Sequence, residues 1–300
     1  LAPRAQEERL DTVVFPGTSG MNAAAPVKAE RKSNFFLGFL LLPKAKRDAL
    51  SAVYAYCRRI DDIVDEGGSA DEARRLLDFW SEEVERLYAG KPTDPISAAL
   101  LKPVADYQIP KDELHQMIRG CALDLDGKRY ETLADLESYM RGVAGSVGVM
   151  CVHIFGWEHT PKERMLDFAV TFGHAFQLTN IIRDVGADLE LDRVYLPASD
   201  LAEAGYSREK LRARDHSPAF DKLMEAEYKR AKNYYARARD LVDSRDRPSL
   251  APAEVMAHVY EGLLDEVKAS GYPVLHEKTA LPGYRKLALA LRGWLFCHGL

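Results

Sequence analysis

The sequence predicts an all-α fold, a single helical bundle around a central cavity, and three observations lead to it. From Ser33 onward apolar residues recur at helical spacing, and no alternation of strand and helix patterns suggests a βαβ unit. Helix breakers fall where short connections belong, at Gly67-Gly68, Gly90-Lys91-Pro92, Pro110, Gly156, Pro161, Pro197, Pro248, Pro273 and Pro282. The run MLDFAVTFGHAF, from Met165 to Phe176, is apolar nearly all round, as a helix buried on every side requires. Together these place helices over roughly 33–42, 44–66, 70–89, 94–106, 110–126, 132–155, 161–188, 207–215, 217–244, 250–270 and 281–298.

A chain of 300 residues, 47% of them hydrophobic, can bury one large core. No repeat and no shift of composition divides it after residue 33, so a single domain over 33–300 is expected. Residues 1–32, rich in Ala, Pro, Gly and charge, read as a disordered N-terminal extension. They lack a charged start followed by an apolar segment, so no secretory leader is expected. A net charge of −5 gives no basic footprint for nucleic acid. The apolar run FFLGFLLL, from Phe35 to Leu42, is too short to span a bilayer and is stopped by Pro43. Cys57, Cys121, Cys151 and Cys297 show neither zinc spacing nor a disulfide pattern, which predicts a reduced, cytoplasmic protein.

The chemistry concentrates in two stretches. In FQLTNIIRDVGADLELDRVYLP, Asn180, Asp184 and Asp188 recur every four residues and share a helix face, with Gln177 one turn back. In YAYCRRIDDIVDE, Tyr54, Arg58, Asp61 and Asp65 fall at i, i+4, i+7 and i+11, again one face. Buried carboxylates are costly unless a cation or a basic partner compensates them. Both pairs also lie toward helix C-termini, where the backbone dipole disfavours negative charge by ~0.3–1 kcal/mol each. Two strips that defy stability in the same way point to divalent cations held between two helices. Oxygen ligands without His or Cys at ligand spacing select Mg²⁺, or Mn²⁺, rather than zinc. Mg²⁺ so held completes its shell with water and substrate phosphate, so a phosphorylated or diphosphorylated substrate is expected. Arg58, Arg59 and Arg183 either grip phosphate oxygens or neutralise the neighbouring carboxylates. GVAGSVG, from Gly142 to Gly148, reads either as close helix packing or as a functional kink. It is not a dinucleotide fingerprint, since no strand precedes it.

These motifs resemble the squalene/phytoene synthases, the head-to-head prenyltransferases. The resemblance runs from Ser33 to about Arg292 and rests on YAYCRRIDDIVDE, YMRGVAGSVG and QLTNIIRDVGADLELDRVYLP, the last including Arg193, Tyr195, Leu196 and Pro197. It implies an isoprenoid-synthase-type bundle in which Asp61 and Asp65 bind Mg²⁺ on one wall and Asn180, Asp184 and Asp188 on the other. It further implies that Arg58, Arg183 and Tyr195 contact diphosphate, with Gln177 beside them, and that Ser33 matches an N-terminal pocket serine. Tyr54, Tyr139 and Tyr260 are implied at the reaction centre, and Lys278 stands where some relatives carry a diphosphate-binding Arg. Lys supplies a point charge where Arg supplies a fork.

The implied reaction joins two allylic diphosphates through a cyclopropylcarbinyl diphosphate. RRIDDIVDE and the tail HEKTALPGYRKLALALR resemble bacterial presqualene-diphosphate and squalene-type members, which implies farnesyl diphosphate; the alternative is phytoene synthesis from geranylgeranyl diphosphate. Reduction to squalene needs hydride from NADPH, and no nucleotide fold is evident, so a partner reductase and a stop at the presqualene stage both stand. Hopanoid and carotenoid pathways are the implied settings, with downstream pathway enzymes and a peripheral membrane surface as partners. Asp61-Asp62-Ile63-Val64-Asp65 also fits head-to-tail synthases and terpene cyclases, and the second strip is what favours head-to-head condensation. A non-enzymatic helical scaffold would be expected to lose strip carboxylates, and none is lost.

Overall fold

The computed structural model describes Gly38 and residues 42–300 apart from Gly67. The expected extension over 1–32, Ser33 and most of the first expected helix lie outside the described residues. The described chain is helical throughout and contains no strand.

Its elements follow from local sequence. Pro43 precedes α1, Lys44–Glu66. Ser69 caps α2, Ala70–Tyr88, by accepting from the Glu72 amide, with Asp71 and Glu72 in the dipole-favoured first turn. Asp94 caps α3, Pro95–Asp106, and the proline needs no amide partner at that position. α4 spans Lys111–Leu125. Thr132 and Asp135 form a reciprocal capping box at the start of α5, Leu133–Met140. A π turn, Arg141–Gly145, leads into α6, Ser146–Phe155, which Gly156 ends at φ 76°. Next come α7, Lys162–Glu190, the short α8, Ala198–Ala204, and α9, Arg208–Arg212. The last three are α10, Pro218–Leu241, α11, Ala251–Ala269, and α12, Gly283–Cys297.

Three differences from the sequence reading stand out. The expected continuous helix over 132–155 is broken into π geometry at the glycine run. The expected helix over 207–215 shrinks to Arg208–Arg212, because Arg214 turns to a positive φ. The α8 helix was not anticipated; its seven residues present too few turns for a periodic pattern.

Helix α7 is the axis of the bundle. It packs against α10, the π turn, α6 and α11, and buried side chains occur on every side of it, among them Phe168, Ala169, Leu178 and Ile181. Glycines set how closely its neighbours approach. A Cβ at Gly148 would collide with the Ala169 carbonyl oxygen of α7, and one at Gly173 would stand 2.7 Å from the Ala144 carbonyl carbon. Gly120 and Gly142 meet in the same way, pressing α4 onto the π turn. Gly148→Ala is therefore expected to destabilise the chain by about 1–3 kcal/mol, since backbone must move to admit the methyl. Urea unfolding measures this, and an unchanged midpoint would contradict the close approach.

Candidate active site

One cavity of about 310 Å³ opens between α1, α4, the π turn with α6, α7 and α11. Its two long walls are graded alike. On α1 the lining passes from Leu50 and Val53 through Tyr54 and Arg58 to Asp61 and Asp65. On α7 it passes from Phe168 and Phe172 through Gln177 and Asn180 to Asp184 and Asp188. Both walls are apolar toward the helix N-terminus and acidic toward the C-terminus. Arg193 ties the acidic ends together, donating to Asp65 at 2.7 Å while lining the cavity beside Asp188.

The carboxylates are unequally compensated. Asp184 is buried and accepts a forked pair from Arg183, whose Nε lies 2.8 Å from Oδ1, and Lys278 Nζ stands 3.4 Å from the same oxygen. Arg58 donates to Asp61 at 3.1 Å and pairs with Asp62, and its own burial lowers its guanidinium pKa. Withdrawal from water, reinforced by Asp65 and only partly offset by Arg58, pushes Asp61 up to about 8. Burial and the neighbouring Asp184 drive Asp188 well above the ordinary carboxylate range. Each wall thus carries one carboxyl that burial and a neighbouring carboxylate hold toward its protonated form.

Asp124, at the end of α4, is a site residue that the sequence reading missed. It accepts from Tyr139 at 3.0 Å and from Tyr195 at 3.1 Å, one phenol on each oxygen. The two rings stack with centroids 5.0 Å apart, and Tyr130 packs on both at 5.5 and 5.8 Å. Burial lifts Asp124 to about 6 against the pull of Arg193 and the two phenols. A signal did exist: Leu114, Met117 and Cys121 form the buried stripe of α4, and Asp124 continues it at helical spacing. Asp124→Asn keeps the shape and removes the charge. It is expected to lower kcat about tenfold and stability by no more than ~1–3 kcal/mol, and steady-state kinetics with a thermal melt would separate the two effects. Unchanged kcat would leave the tyrosine pair without a part in turnover.

Of the residues singled out from sequence, the cavity gathers Tyr54, Arg58, Asp61, Asp65, Tyr139, Gln177, Asn180, Arg183, Asp184, Asp188, Tyr195 and Tyr260. Lys278 reaches the site through Asp184. Arg58 and Arg183 both engage carboxylates, so the neutralising reading describes them in this state. Tyr260 packs edge-on to Phe176 with centroids 5.1 Å apart. The glycine run serves both of its readings, since the π turn and α6 press on α7 while Val143, Ala144 and Val147 line the cavity.

Among the described residues, no three His, Cys, Asp or Glu side chains converge closely enough to hold a metal ion alone. The donor set nonetheless fits Mg²⁺ shared with a phosphorylated ligand. It is all oxygen, it faces inward from two walls, and the Asn180 Oδ1 is buried with no hydrogen-bond partner.

An all-helical bundle closing over a cavity with an aromatic and apolar body and an acidic mouth is the architecture of an isoprenoid-type synthase. The chain belongs to the squalene/phytoene synthase family, whose family model matches residues 29–285. It is 34% identical over 282 residues to the 15-cis-phytoene synthase of Synechocystis sp., covering 90% of this chain and 82% of the relative. It is equally 34% identical over 267 residues to the presqualene diphosphate synthase of Zymomonas mobilis, covering 87% and 90%. The fold matches a crystal structure of a dehydrosqualene synthase with bound ligand at a TM-score of 0.79 and 31% identity, over 93% of this chain and 96% of the other. No described helix is long and apolar enough to cross a membrane.

Proposed function

We propose that this prenyltransferase condenses two molecules of farnesyl diphosphate head to head, giving a cyclopropylcarbinyl diphosphate of the presqualene type. The observation that carries the reaction class is the meeting of two acid strips, on α1 and α7, at one end of a single apolar cavity. Asp61 and Asp65 would hold Mg²⁺ from one wall, and Asn180, Asp184 and Asp188 from the other. Bound Mg²⁺ supplies Lewis acidity at the departing diphosphate.

The chain supplies the rest. Arg58, Arg183 and Lys278 already stand among the carboxylates, placed to exchange those partners for diphosphate oxygens once cations arrive. In the first half-reaction one allylic C–O bond breaks and diphosphate leaves with the electron pair. The double bond of the second molecule forms the new C–C bond, and loss of a proton, to the released diphosphate or to a tyrosine of the cavity, closes the three-membered ring. The faces of Phe172, Phe176 and Tyr260 suit the cationic stage, and a cavity walled by Val53, Val147 and Phe168 keeps water from it.

The farnesyl assignment is supported by the resemblance of RRIDDIVDE and the C-terminal tail to presqualene-type members, and by the likeness to a dehydrosqualene synthase. A second reading, phytoene synthesis from geranylgeranyl diphosphate, is favoured by the Synechocystis relative at the same 34% identity. A product assay distinguishes them. Purified chain with Mg²⁺ receives each diphosphate, with and without NADPH, and extracts are analysed by mass spectrometry. Presqualene diphosphate or a C30 hydrocarbon from the shorter substrate is the expected outcome, and dependence on NADPH shows whether reduction occurs here. Phytoene alone would replace the substrate and keep the site; no product from either would overturn the reaction class.

A further inference from the structure

The stretch Asp61-Asp62-Ile63-Val64-Asp65 holds three carboxylates, and the proposed cation site uses only the outer two. Asp61 and Asp65 line the cavity, whereas Asp62 between them does not. Successive residues of a helix stand about 100° apart, so Asp62 cannot face where Asp61 faces. It meets Arg58 instead. Arg58 lies one turn back on α1, is buried, and divides its guanidinium between the two acids. Its Nη1 donates to Asp61 at 3.1 Å, and its Nη2 pairs with Asp62. One guanidinium thus bridges a carboxylate of the cavity and a half-buried one outside the lining.

That division sets what Arg58 does when the site fills. A guanidinium presents its nitrogens as a rigid fork, so one branch can be held while the other changes partner. Asp61 gives up its share of Arg58 once its oxygens turn to a cation. With Asp61 as sole holder, a long flexible side chain would then have to be ordered again at an entropic cost. Asp62 keeps Nη2 in place and leaves Nη1 at the acidic mouth, where diphosphate would lie. Neutralisation does not account for Asp62, because Asp61 already matches the single charge of Arg58. Arg183 on the opposite wall is arranged otherwise, with Nε and Nη2 both on Asp184, which is itself a proposed cation ligand.

We infer that Asp62 is a positioning residue that anchors Arg58 through Nη2, so that Nη1 passes from Asp61 to a diphosphate oxygen while the side chain stays on its wall. This role rests on the cation site proposed above, and the two fail differently. Binding is read apart from turnover: Mn²⁺ is titrated into the full chain by electron paramagnetic resonance, and inorganic diphosphate into the Mn²⁺-loaded chain by calorimetry. Asp62→Asn is expected to weaken diphosphate about tenfold, with Mn²⁺ affinity within about threefold of the parent. Asp61→Asn should weaken Mn²⁺ itself. Asp62→Glu, whose carboxylate still reaches the residue one turn back, should return diphosphate affinity to within about threefold of the parent. In an Arg58→Gln background, Asp62→Asn should cost nothing further, because the pair acts as a unit. Should Asp62→Asn fail to fold, a crystal structure of the unaltered chain with Mn²⁺ and diphosphate serves instead, with Nη2 still on Asp62 and Nη1 on diphosphate as the expected arrangement. Undiminished diphosphate binding by folded Asp62→Asn, additive effects of the two substitutions, or Arg58 parted from Asp62 in that crystal would each overturn the inference. A loss of Mn²⁺ in Asp62→Asn equal to that in Asp61→Asn would also overturn it, by making Asp62 a cation ligand. Mn²⁺ binding untouched by Asp61→Asn would instead overturn the proposed cation site, and the role of Asp62 with it.

Discussion

Exchanging Asp184 for asparagine is expected to cut Mg²⁺-dependent turnover on the order of a thousandfold while the helical content is retained. The carboxylate is buried, forked onto Arg183, and 3.4 Å from Lys278. It thus has two duties in the proposed site, as an oxygen donor to a cation and as the counter-charge that keeps two basic groups poised. Asparagine preserves the volume and an acceptor, whereas alanine would leave Arg183 buried beside a hole, at ~3–5 kcal/mol, and mix stability with chemistry. Removing the negative charge should also leave inorganic diphosphate, added without Mg²⁺, bound at least as well as before. Steady-state rates at saturating Mg²⁺, circular dichroism and a diphosphate titration together test this. A folded variant turning over within tenfold of the parent would remove Asp184 from the proposed cation site.

Asp188→Asn is expected to abolish turnover comparably and, unlike most substitutions in a cavity wall, to stabilise the metal-free chain. Burial and Asp184 raise the Asp188 carboxyl well above its ordinary range, and Asp61 is pushed up to about 8 by burial and Asp65. A carboxyl whose pKa rises on folding binds its proton more tightly in the folded state than in the unfolded one, where it titrates near ~4. Stability of the metal-free chain should therefore fall as pH rises from about 4 through the folded value for Asp61 of about 8. Asparagine is neutral without taking up a proton, so at neutral pH it should raise the melting midpoint by about 2–4 °C for each kcal/mol relieved. Mg²⁺ with inorganic diphosphate should raise the midpoint of the parent chain and fail to do so for the variant. Melting curves across pH, with and without those additions, would show it. A variant that melts below the parent in the absence of metal would mean that Asp188 stabilises the wall.

Much of the site was legible because its chemistry is written along single helices. Asp61 with Asp65, and Asn180 with Asp184 and Asp188, repeat at helical period, and each strip has an apolar approach on its own helix. The all-α class and most helix bounds follow from the same periodicity. Less legible was whatever depends on which helices meet. Asp124 is one carboxylate on the stripe of α4 and gains meaning only when Tyr139 and Tyr195, from remote segments, turn their hydroxyls to it. The bond from Arg193 to Asp65 crosses 128 positions of sequence, so the motif holding Arg193 gave no hint of its partner. The glycine run could not choose between packing and distortion because small residues permit both, and the fold uses both.

The π turn at Arg141–Gly145 has a consequence for how such a cavity can change over evolutionary time. A π turn holds one more residue than an α-helix can seat, and each residue of α-helix advances the azimuth by about 100°. The surplus acts as a register offset between α5 and α6. It fixes the azimuth at which Val147, Cys151 and Phe155 face the cavity relative to Tyr139 upstream. Deleting one residue there would let the helix run straight and swing all three away together, although none had been replaced. A single-codon deletion at Gly142 or Gly145, neither of which lines the cavity, would thus remodel its apolar body in one step, and lineages of this fold could explore differently shaped products by gaining or losing a length of chain without replacing a residue of the cavity wall.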